Sequence, residues 1–197
     1  MTDGANDRTC LIMKEILLLS GYARSGKDSV ANLLEEEYGY RRFAFADALK
    51  DMVAATTGIS VTLFHSVQKD TPIGTLGFEG KTYRDLLIEI ADQKRAIDPD
   101  VFSRVVATQI IASDAARVVI SDWRYKREES FLRSTLDPAL YQIVKGRVVR
   151  STVIPSSAPI EHDLDGEPMD LVILNDGSLS SLRDSIYSAF RRSHPSS

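Results

Sequence analysis

The residues best suited to chemistry lie near the start of the chain, where Gly21–Lys27 has the spacing G-x-x-x-x-G-K. Glycines at both ends let the backbone wrap its N–H groups around a phosphate. A helix beginning near Lys27 would add its positive N-terminus, and the lysine a mobile cation. Between an apolar run and an amphipathic one, this spacing predicts a phosphate-binding loop rather than a bare Gly-rich turn. The predicted phosphate-binding residues are Gly21, Ala23, Arg24, Ser25, Gly26, Lys27, Asp28 and Ser29.

One position in this loop departs from the common pattern. Asp28 follows the lysine where a Mg²⁺-binding Ser or Thr is usual, and Ser29 comes one residue later. Asp122 directly ends an apolar stretch, a place where proteins often hold Mg²⁺ or its waters. We therefore predict Asp28, Ser29 and Asp122 as metal ligands. A turn residue is the competing interpretation of Asp122.

Asp47 and Lys50 follow the short apolar stretch at 42–45, which comes after the phosphate loop and its helix. Lys50 could hold the phosphate of an acceptor, and Asp47 could orient an acceptor hydroxyl or a metal-bound water. The competing interpretation is a helix-capping aspartate and a solvated lysine.

The arginines suggest further phosphate contacts. Arg84 could grip a monophosphate with two hydrogen bonds, or form a surface salt bridge. Arg95 could bind the acceptor, or complement the end of a helix. Arg124 could reach the phosphates of either substrate, and neighbouring Trp123 could shape the pocket. Arg150 begins a long polar loop and is the candidate lid residue for ATP phosphates.

Apolar runs and helical periodicity alternate along the chain and predict the elements that position these residues. Strands are predicted over 16–20, 42–45, 118–121, 140–144 and 171–174. Helices are predicted over 29–38, 47–57, 82–95, 99–114, 126–134 and 178–191, with 59–81 irregular. Strand–helix alternation indicates an α/β fold of three layers, a parallel sheet with helices on both faces. Ligands of such folds bind at the carboxyl ends of the strands.

Composition excludes several classes of protein. The only cysteine, Cys10, rules out an internal disulfide and a four-thiolate zinc site. With 24 Lys and Arg against 28 Asp and Glu, the chain is acidic, with a pI of about 5.4, which disfavours a nucleic-acid-binding protein. The apolar runs are too short to span a membrane. We expect a soluble cytoplasmic protein with a frayed tail at 1–13, one domain at 14–192 and a lid-like loop near 150–168.

Several motifs together resemble one family. Residues 20–29 resemble the phosphate loop of the phage-type deoxynucleoside monophosphate kinases, which tolerate Gly-Lys-Asp followed by Thr or Ser. Further matches occur in the family's order at 45–50, 82–87, 120–124 followed by Glu128, and 175–179. They span residues 16–186. The resemblance implies a P-loop kinase of deoxynucleotide metabolism, located in the host-cell cytoplasm if the source is viral.

The resemblance also implies roles for individual residues. ATP and Mg²⁺ are the implied cofactors, and a small nucleotide is the acceptor. The base of ATP would lie against the Asn175-Asp176-Gly177 turn, with Arg150 in the lid. The implied catalytic residues are Lys27, Asp47, Asp122 and Arg124. The implied acceptor-binding residues are Asp47, Lys50, Arg84, Arg95 and Trp123. No membrane partner is expected, and a homodimer is one expected assembly.

Two other functions stay open. A related type of phage kinase phosphorylates 5-hydroxymethyluracil within DNA, where Asp47 would serve as a base for the hydroxyl. Aromatic and basic residues interleaved over 123–127 suit this function, and the acidic pI disfavours it. The third function is an NTP-driven switch without kinase activity. A GTPase N-K-x-D motif is absent at Asn175, which Asp176 and Gly177 follow.

Overall fold

A computed structural model describes residues 13–65, 70–74, 77–157, 159 and 162–193. Residues 1–12 of the predicted tail lie outside these ranges, and only its last residue, Met13, is described. Glu161 of the predicted lid also lies outside them. No helix in the described ranges is long and apolar enough to cross a membrane.

The predicted α/β architecture is confirmed. The described strands form one five-stranded sheet in the order β2-β3-β1-β4-β5, with every neighbouring pair parallel. The strands are β1 Lys14–Ser20, β2 Arg41–Phe43, β3 Arg117–Ile120, β4 Tyr141–Val149 and β5 Leu171–Leu174. The helices are α1 Lys27–Tyr38, α2 Phe45–Thr57, α3 Val61–His65, α4 Tyr83–Ile97, α5 Val101–Ala112, α6 Lys126–Thr135 and α7 Leu179–Ser193.

The central strand β1 is buried on both faces. Leu17 and Leu19 pack with apolar residues of α1 and α7, whereas Ile16 and Leu18 pack with residues of α2 and α5. All four side chains are fully buried, and burying each stabilises the fold by about 1.5–3 kcal/mol. The uninterrupted apolar run is therefore required by helices on both sides of the sheet.

A smaller core, whose members include Phe64, Leu86 and Ile90, joins α2, α3 and α4 beside the sheet. The first turn of α4 is fixed by a capping box, in which Thr82 Oγ1 accepts from Asp85 N–H at 3.1 Å and the Asp85 carboxylate accepts from Thr82 N–H at 2.9 Å. This cap sets where α4 begins, and so where Arg84 and Arg95 lie along it.

Some predicted boundaries are wrong for physical reasons. Strand β4 continues five residues beyond Val144, because Gly146 fits closely against Leu17 and Leu19 and the ladder with β5 extends to Val149. The short strand predicted over 42–45 ends at Phe43, because Phe45 begins α2. The region 59–81, expected to be irregular, contains α3.

Candidate active site

The predicted phosphate loop connects β1 to α1. Gly26 has φ +96° and Arg24 has φ +65°, so the chain turns sharply before the helix. A side chain on Gly21 would collide with the carbonyl oxygen of Val148, and one on Gly26 would collide with the Asn175 amide. Both glycines are therefore required by close packing as well as by backbone angle.

Lys27 faces back along the loop. Its Nζ donates hydrogen bonds to the carbonyl oxygens of Gly21, at 2.6 Å, and Tyr22, at 3.0 Å. The Asn175 amide donates to the carbonyl oxygen of Ser25 at 2.8 Å, which ties the turn after β5 to the loop. The loop is thus held from both sides before any ligand binds.

A cavity of about 370 Å³ opens beside the loop. The charged and polar side chains that line it include Ser25, Lys27, Arg124, Arg147 and Arg150. Two buried atoms in it, Ser25 Oγ and Arg147 Nε, have no hydrogen-bond partner among the described residues. Leaving such groups unpaired is costly. Four cationic side chains and two unsatisfied polar atoms around one cavity fit a polyphosphate. We call this cavity the donor cavity.

Arg147 is a site residue that was missing from the predicted set. The predicted strand ends at Val144, three residues before Arg147. In the structure β4 includes Arg147, and its side chain is largely buried. Its Nη2 donates to the carbonyl oxygen of Leu164 at 2.7 Å and lies 3.5 Å from Asp165 Oδ1. A basic residue among apolar ones at the end of a longer strand was the available signal.

The described part of the predicted lid packs against the phosphate loop. Tyr22 Oη donates to Asp165 Oδ1 at 3.0 Å, and His162 Nδ1 is hydrogen-bonded to Asp165 Oδ2 at 2.7 Å. These bonds, with His162 contributing most, lower the pKa of Asp165. Leu164 is buried at the wall of the donor cavity. Arg150 also lines this cavity, but its role in closing over ATP stays a prediction.

Asp122 anchors the start of α2. Its carboxylate oxygens accept hydrogen bonds from Phe45 N–H at 2.9 Å and Ala46 N–H at 2.8 Å. Burial raises its pKa, and the two N–H groups partly oppose that shift. Ala44 occupies the N-cap position of α2, and Asp47 lies in the first turn. The interpretation of Asp47 as the capping aspartate is therefore wrong. Coordination of a metal by Asp122 stays a prediction.

The other predicted metal ligands lie at the first turn of α1. Asp28 is exposed and forms an ion pair with Arg42 on β2, and Ser29 is exposed. In the described ranges, no group of three or more His, Cys, Asp or Glu side chains is placed to hold a metal ion. A magnesium site at this edge would therefore have to draw ligands from the nucleotide phosphates and from water as well as from the chain.

The predicted acceptor residues fall into separate groups. Lys50 Nζ donates to Asp47 Oδ1 at 2.8 Å and lies 3.3 Å from His65 Nδ1. Arg84 forms a two-bond salt bridge with Asp70 and is about half exposed. The salt bridge that competed with phosphate binding at Arg84 is thus present.

Arg95 belongs to a second cavity, of about 470 Å³. Its guanidinium carbon lies 5.0 Å from the ring centroid of Phe102 and 5.4 Å from that of Tyr125. Arg95 forms no hydrogen bond or ion pair within the part of the chain that the structure describes. Other lining residues include Asp92, Ser103, Glu128 and Asp163. We call this cavity the Arg95 cavity.

Glu128 links the Arg95 cavity to the start of α6. Its Oε2 accepts hydrogen bonds from Arg124 N–H at 3.0 Å and Tyr125 N–H at 3.1 Å. Burial raises the pKa of Glu128 to about 8. The carboxyl is therefore largely protonated at neutral pH and can donate a hydrogen bond.

The two cavities share one segment of chain. Trp123 and Arg124 line the donor cavity, and Tyr125 and Glu128 line the Arg95 cavity. The Trp123 side chain is otherwise buried in the core, and its indole N–H donates to the carbonyl oxygen of Tyr125 at 2.9 Å. The segment 123–128 thus contributes to both cavities.

Comparison with known protein families decides the class of enzyme. A family model described as phosphomevalonate kinase matches residues 19–138, more than half of the chain. The chain belongs to the phosphomevalonate kinase family. It is therefore a phosphotransferase. The matched range contains the phosphate loop, Arg84, Arg95 and Asp122, and it ends before Arg147 and the Asn175 turn.

One solved structure agrees on the fold, and two others are similar at lower scores. TT1252 from Thermus thermophilus is 15% identical over 91% of this chain and 98% of that one, with a TM-score of 0.53. A mutant of the Mycobacterium tuberculosis APS kinase is 15% identical, covering 91% and 98%, with a TM-score of 0.46. A gluconokinase from Sinorhizobium meliloti is 16% identical, covering 93% and 95%, with a TM-score of 0.45. No protein of curated function matches the chain.

Membership of this kinase family refines the resemblance seen in the motifs. The P-loop kinase fold and the phosphotransferase class are confirmed. The narrower resemblance to phage-type deoxynucleoside monophosphate kinases is not confirmed by the family model. Asp176 and Gly177 border a different cavity, between β5 and α7. Their base-binding role stays a prediction.

Proposed function

We propose that the enzyme transfers the terminal phosphoryl group of ATP to the phosphate of a deoxynucleoside monophosphate, giving ADP and the deoxynucleoside diphosphate. The observation that carries this proposal is the pair of cavities to which the segment 123–128 contributes. One gathers cations around a phosphate loop. In the other, Arg95 lies beside two aromatic rings and has no hydrogen bond or ion pair among the described residues.

On the donor side, ATP would supply the phosphoryl group, and Lys27, Arg124, Arg147 and Arg150 would neutralise its phosphates. Ser25 Oγ and Arg147 Nε, which have no hydrogen-bond partner among the described residues, would gain partners from the phosphates. Mg²⁺ would add charge neutralisation, with Ser29 and Asp122 as the candidate ligands on the chain.

On the acceptor side, the Arg95 cavity suits a flat polar group. Phe102 and Tyr125 offer ring surfaces, Arg95 donates along its planar edge, and protonated Glu128 adds a donor. Lys50 and Arg84 carry the cations proposed for the acceptor phosphate, since each could exchange its carboxylate partner for a phosphate.

The reaction needs positioning more than proton transfer. An ionised oxygen of the acceptor phosphate forms a bond to the γ-phosphorus of ATP while the bond to the β–γ bridging oxygen breaks, and ADP leaves with the electron pair. Because the attacking oxygen carries no proton, no strong general base is required. The cations of the donor cavity stabilise the developing charge.

A second candidate acceptor is 5-phosphomevalonate, which the family match favours. Its phosphate would undergo the same reaction, but it is aliphatic and has no planar group for the aromatic rings of the Arg95 cavity. The DNA-directed kinase, with Asp47 as base, is a third outcome, which the net charge of −4 disfavours.

The test offers ATP and Mg²⁺ with each of the four common deoxynucleoside monophosphates, 5-phosphomevalonate, and DNA containing 5-hydroxymethyluracil. Chromatography of the products identifies the phosphorylated acceptor. We expect a diphosphate from at least one deoxynucleoside monophosphate, with a higher kcat/KM than for phosphomevalonate. Transfer only to phosphomevalonate or only to DNA would overturn the proposed acceptor and keep the kinase.

A further inference from the structure

The ion pair between Asp28 and Arg42 lies at the entrance of the phosphate loop. Asp28 is in the first turn of α1, directly after Lys27, and its side chain is 81% exposed. An acid at this place stabilises the helix N-terminus. The same negative charge opposes the binding of a polyanion to that N-terminus.

Arg42 is held by three side chains. Besides Asp28, its guanidinium donates to Ser121 Oγ at 2.9 Å through Nε and to Asn32 Oδ1 at 3.1 Å through Nη1. Ser121 is buried at the end of β3, directly before Asp122. The cation is therefore fixed by contacts with both α1 and β3.

We propose that Arg42 is a positioning residue that neutralises Asp28 and thereby sets the affinity of the phosphate loop for nucleotide polyphosphates. The inference rests on the proposed function for the identity of the ligand. Without the arginine, the loop would present an uncompensated carboxylate beside the lysine that binds phosphate. In this account Asp28 is the paired acid of the first turn of α1, and not a metal ligand.

Four variants separate this electrostatic role from a packing role. Arg42→Gln removes the charge but keeps an amide for Ser121 and Asn32, and Arg42→Lys keeps the charge. Asp28→Asn removes the acid, alone and combined with Arg42→Gln. Arg41→Ala is the matched control, because Arg41 is the preceding residue of β2 and its guanidinium packs on the Phe43 ring, 5.8 Å from the centroid.

The measurements are equilibrium titration with a fluorescent ATP analogue, with and without Mg²⁺ and at low and high salt, and thermal unfolding of the nucleotide-free proteins. We expect Arg42→Gln to weaken nucleotide binding on the order of tenfold at low salt, and less at high salt. Arg42→Lys and the Arg42→Gln, Asp28→Asn double variant should recover most of the affinity. Arg41→Ala should leave it unchanged.

Any of the following results would overturn the inference. Equal affinity of Arg42→Gln and wild type would remove the role of Arg42, and a double variant as weak as Arg42→Gln would make its role structural. Loss of Mg²⁺-dependent affinity in Asp28→Asn alone would make Asp28 a metal ligand. If Arg42→Gln does not fold, nucleotide affinity is compared between Asp28→Asn and wild type. Removing a negative charge beside the phosphate site should leave the affinity equal or higher, and weaker binding would overturn the inference. A wild type that binds no nucleotide would overturn the proposed function as well.

Discussion

The donor cavity and the Arg95 cavity meet at one segment of chain but are built from different parts of the molecule. The donor cavity is framed by the phosphate loop, which connects β1 to α1. Two glycines of this loop have no room for a side chain. The Arg95 cavity is assembled from side chains of α4, α5 and the start of α6. A site made by a local backbone is fixed by sequence spacing, whereas a site made by distant side chains depends on how helices pack.

The largest expected effect breaks the donor side alone. Lys27→Ala should lower turnover by about 100-fold or more, because a donor that stabilises transition-state charge is lost. The fold should persist, since the hydrogen bonds from Nζ to the carbonyl oxygens of Gly21 and Tyr22 lie within the loop itself. Steady-state kinetics and thermal unfolding measure both. Lys81→Ala, a lysine paired with Glu89 outside both cavities, is the control. Wild-type turnover in Lys27→Ala would reject the phosphate-loop assignment.

The acceptor side should respond differently. Arg95→Ala should reduce kcat/KM for the acceptor roughly 10- to 100-fold, as expected for a lost charge-assisted hydrogen bond in a partly enclosed site. The KM for ATP should barely change.

The matched comparison for Arg95 is Arg84→Ala. Arg84 already has Asp70 as its partner, so replacing it should have a smaller effect on acceptor use. If Arg84→Ala is the more damaging variant, the acceptor is held mainly through its phosphate at the first turn of α4, and the Arg95 cavity has another role.

Sequence spacing predicted where the phosphate loop lies between β1 and α1, because its glycines, its lysine and the following helix are contiguous. It failed at Arg147, since the end of β4 is set by packing of Gly146 on β1 rather than by local propensity. The partners of Arg95 and Asp28 could not be predicted either. Phe102 and Tyr125 lie on other elements than Arg95, and Arg42 meets Asp28 only once β2 is placed beside β3.

Asp122 holds the start of α2, the helix that carries Asp47 and Lys50. Asp122→Asn should lower the free energy of unfolding by about 1–3 kcal/mol, because an amide can accept only one of the two backbone N–H groups at the start of α2. Chemical denaturation measures this loss. A variant of unchanged stability but with lost Mg²⁺ dependence would instead assign Asp122 to the metal.

The last expected effect is a change in the pH dependence of stability at Glu128. Its pKa is about 8 in the folded protein against an ordinary 4.5, so between these values the folded state binds more protons than the unfolded state. The contribution of Glu128 to stability is therefore complete below about pH 4.5 and is lost as pH rises toward 8, with a slope of at most about 1.4 kcal/mol per pH unit.

Glu128→Gln tests this directly, because glutamine can still accept the hydrogen bonds from Arg124 and Tyr125 and does not titrate. Denaturation curves across this pH range should give a flatter profile for the variant. Identical profiles for the two proteins would show that Glu128 is ionised in the folded state.

The most direct test of the two-cavity account is binding of adenosine–deoxynucleoside pentaphosphates, which join the two substrates through one phosphate chain. Isothermal titration should show at least one of them binding more tightly than ATP, with the gain reduced by Arg95→Ala and binding weakened throughout by Lys27→Ala. Binding no tighter than that of ATP for every base, with Arg95→Ala indistinguishable from wild type, would contradict the assignment of the Arg95 cavity to the acceptor.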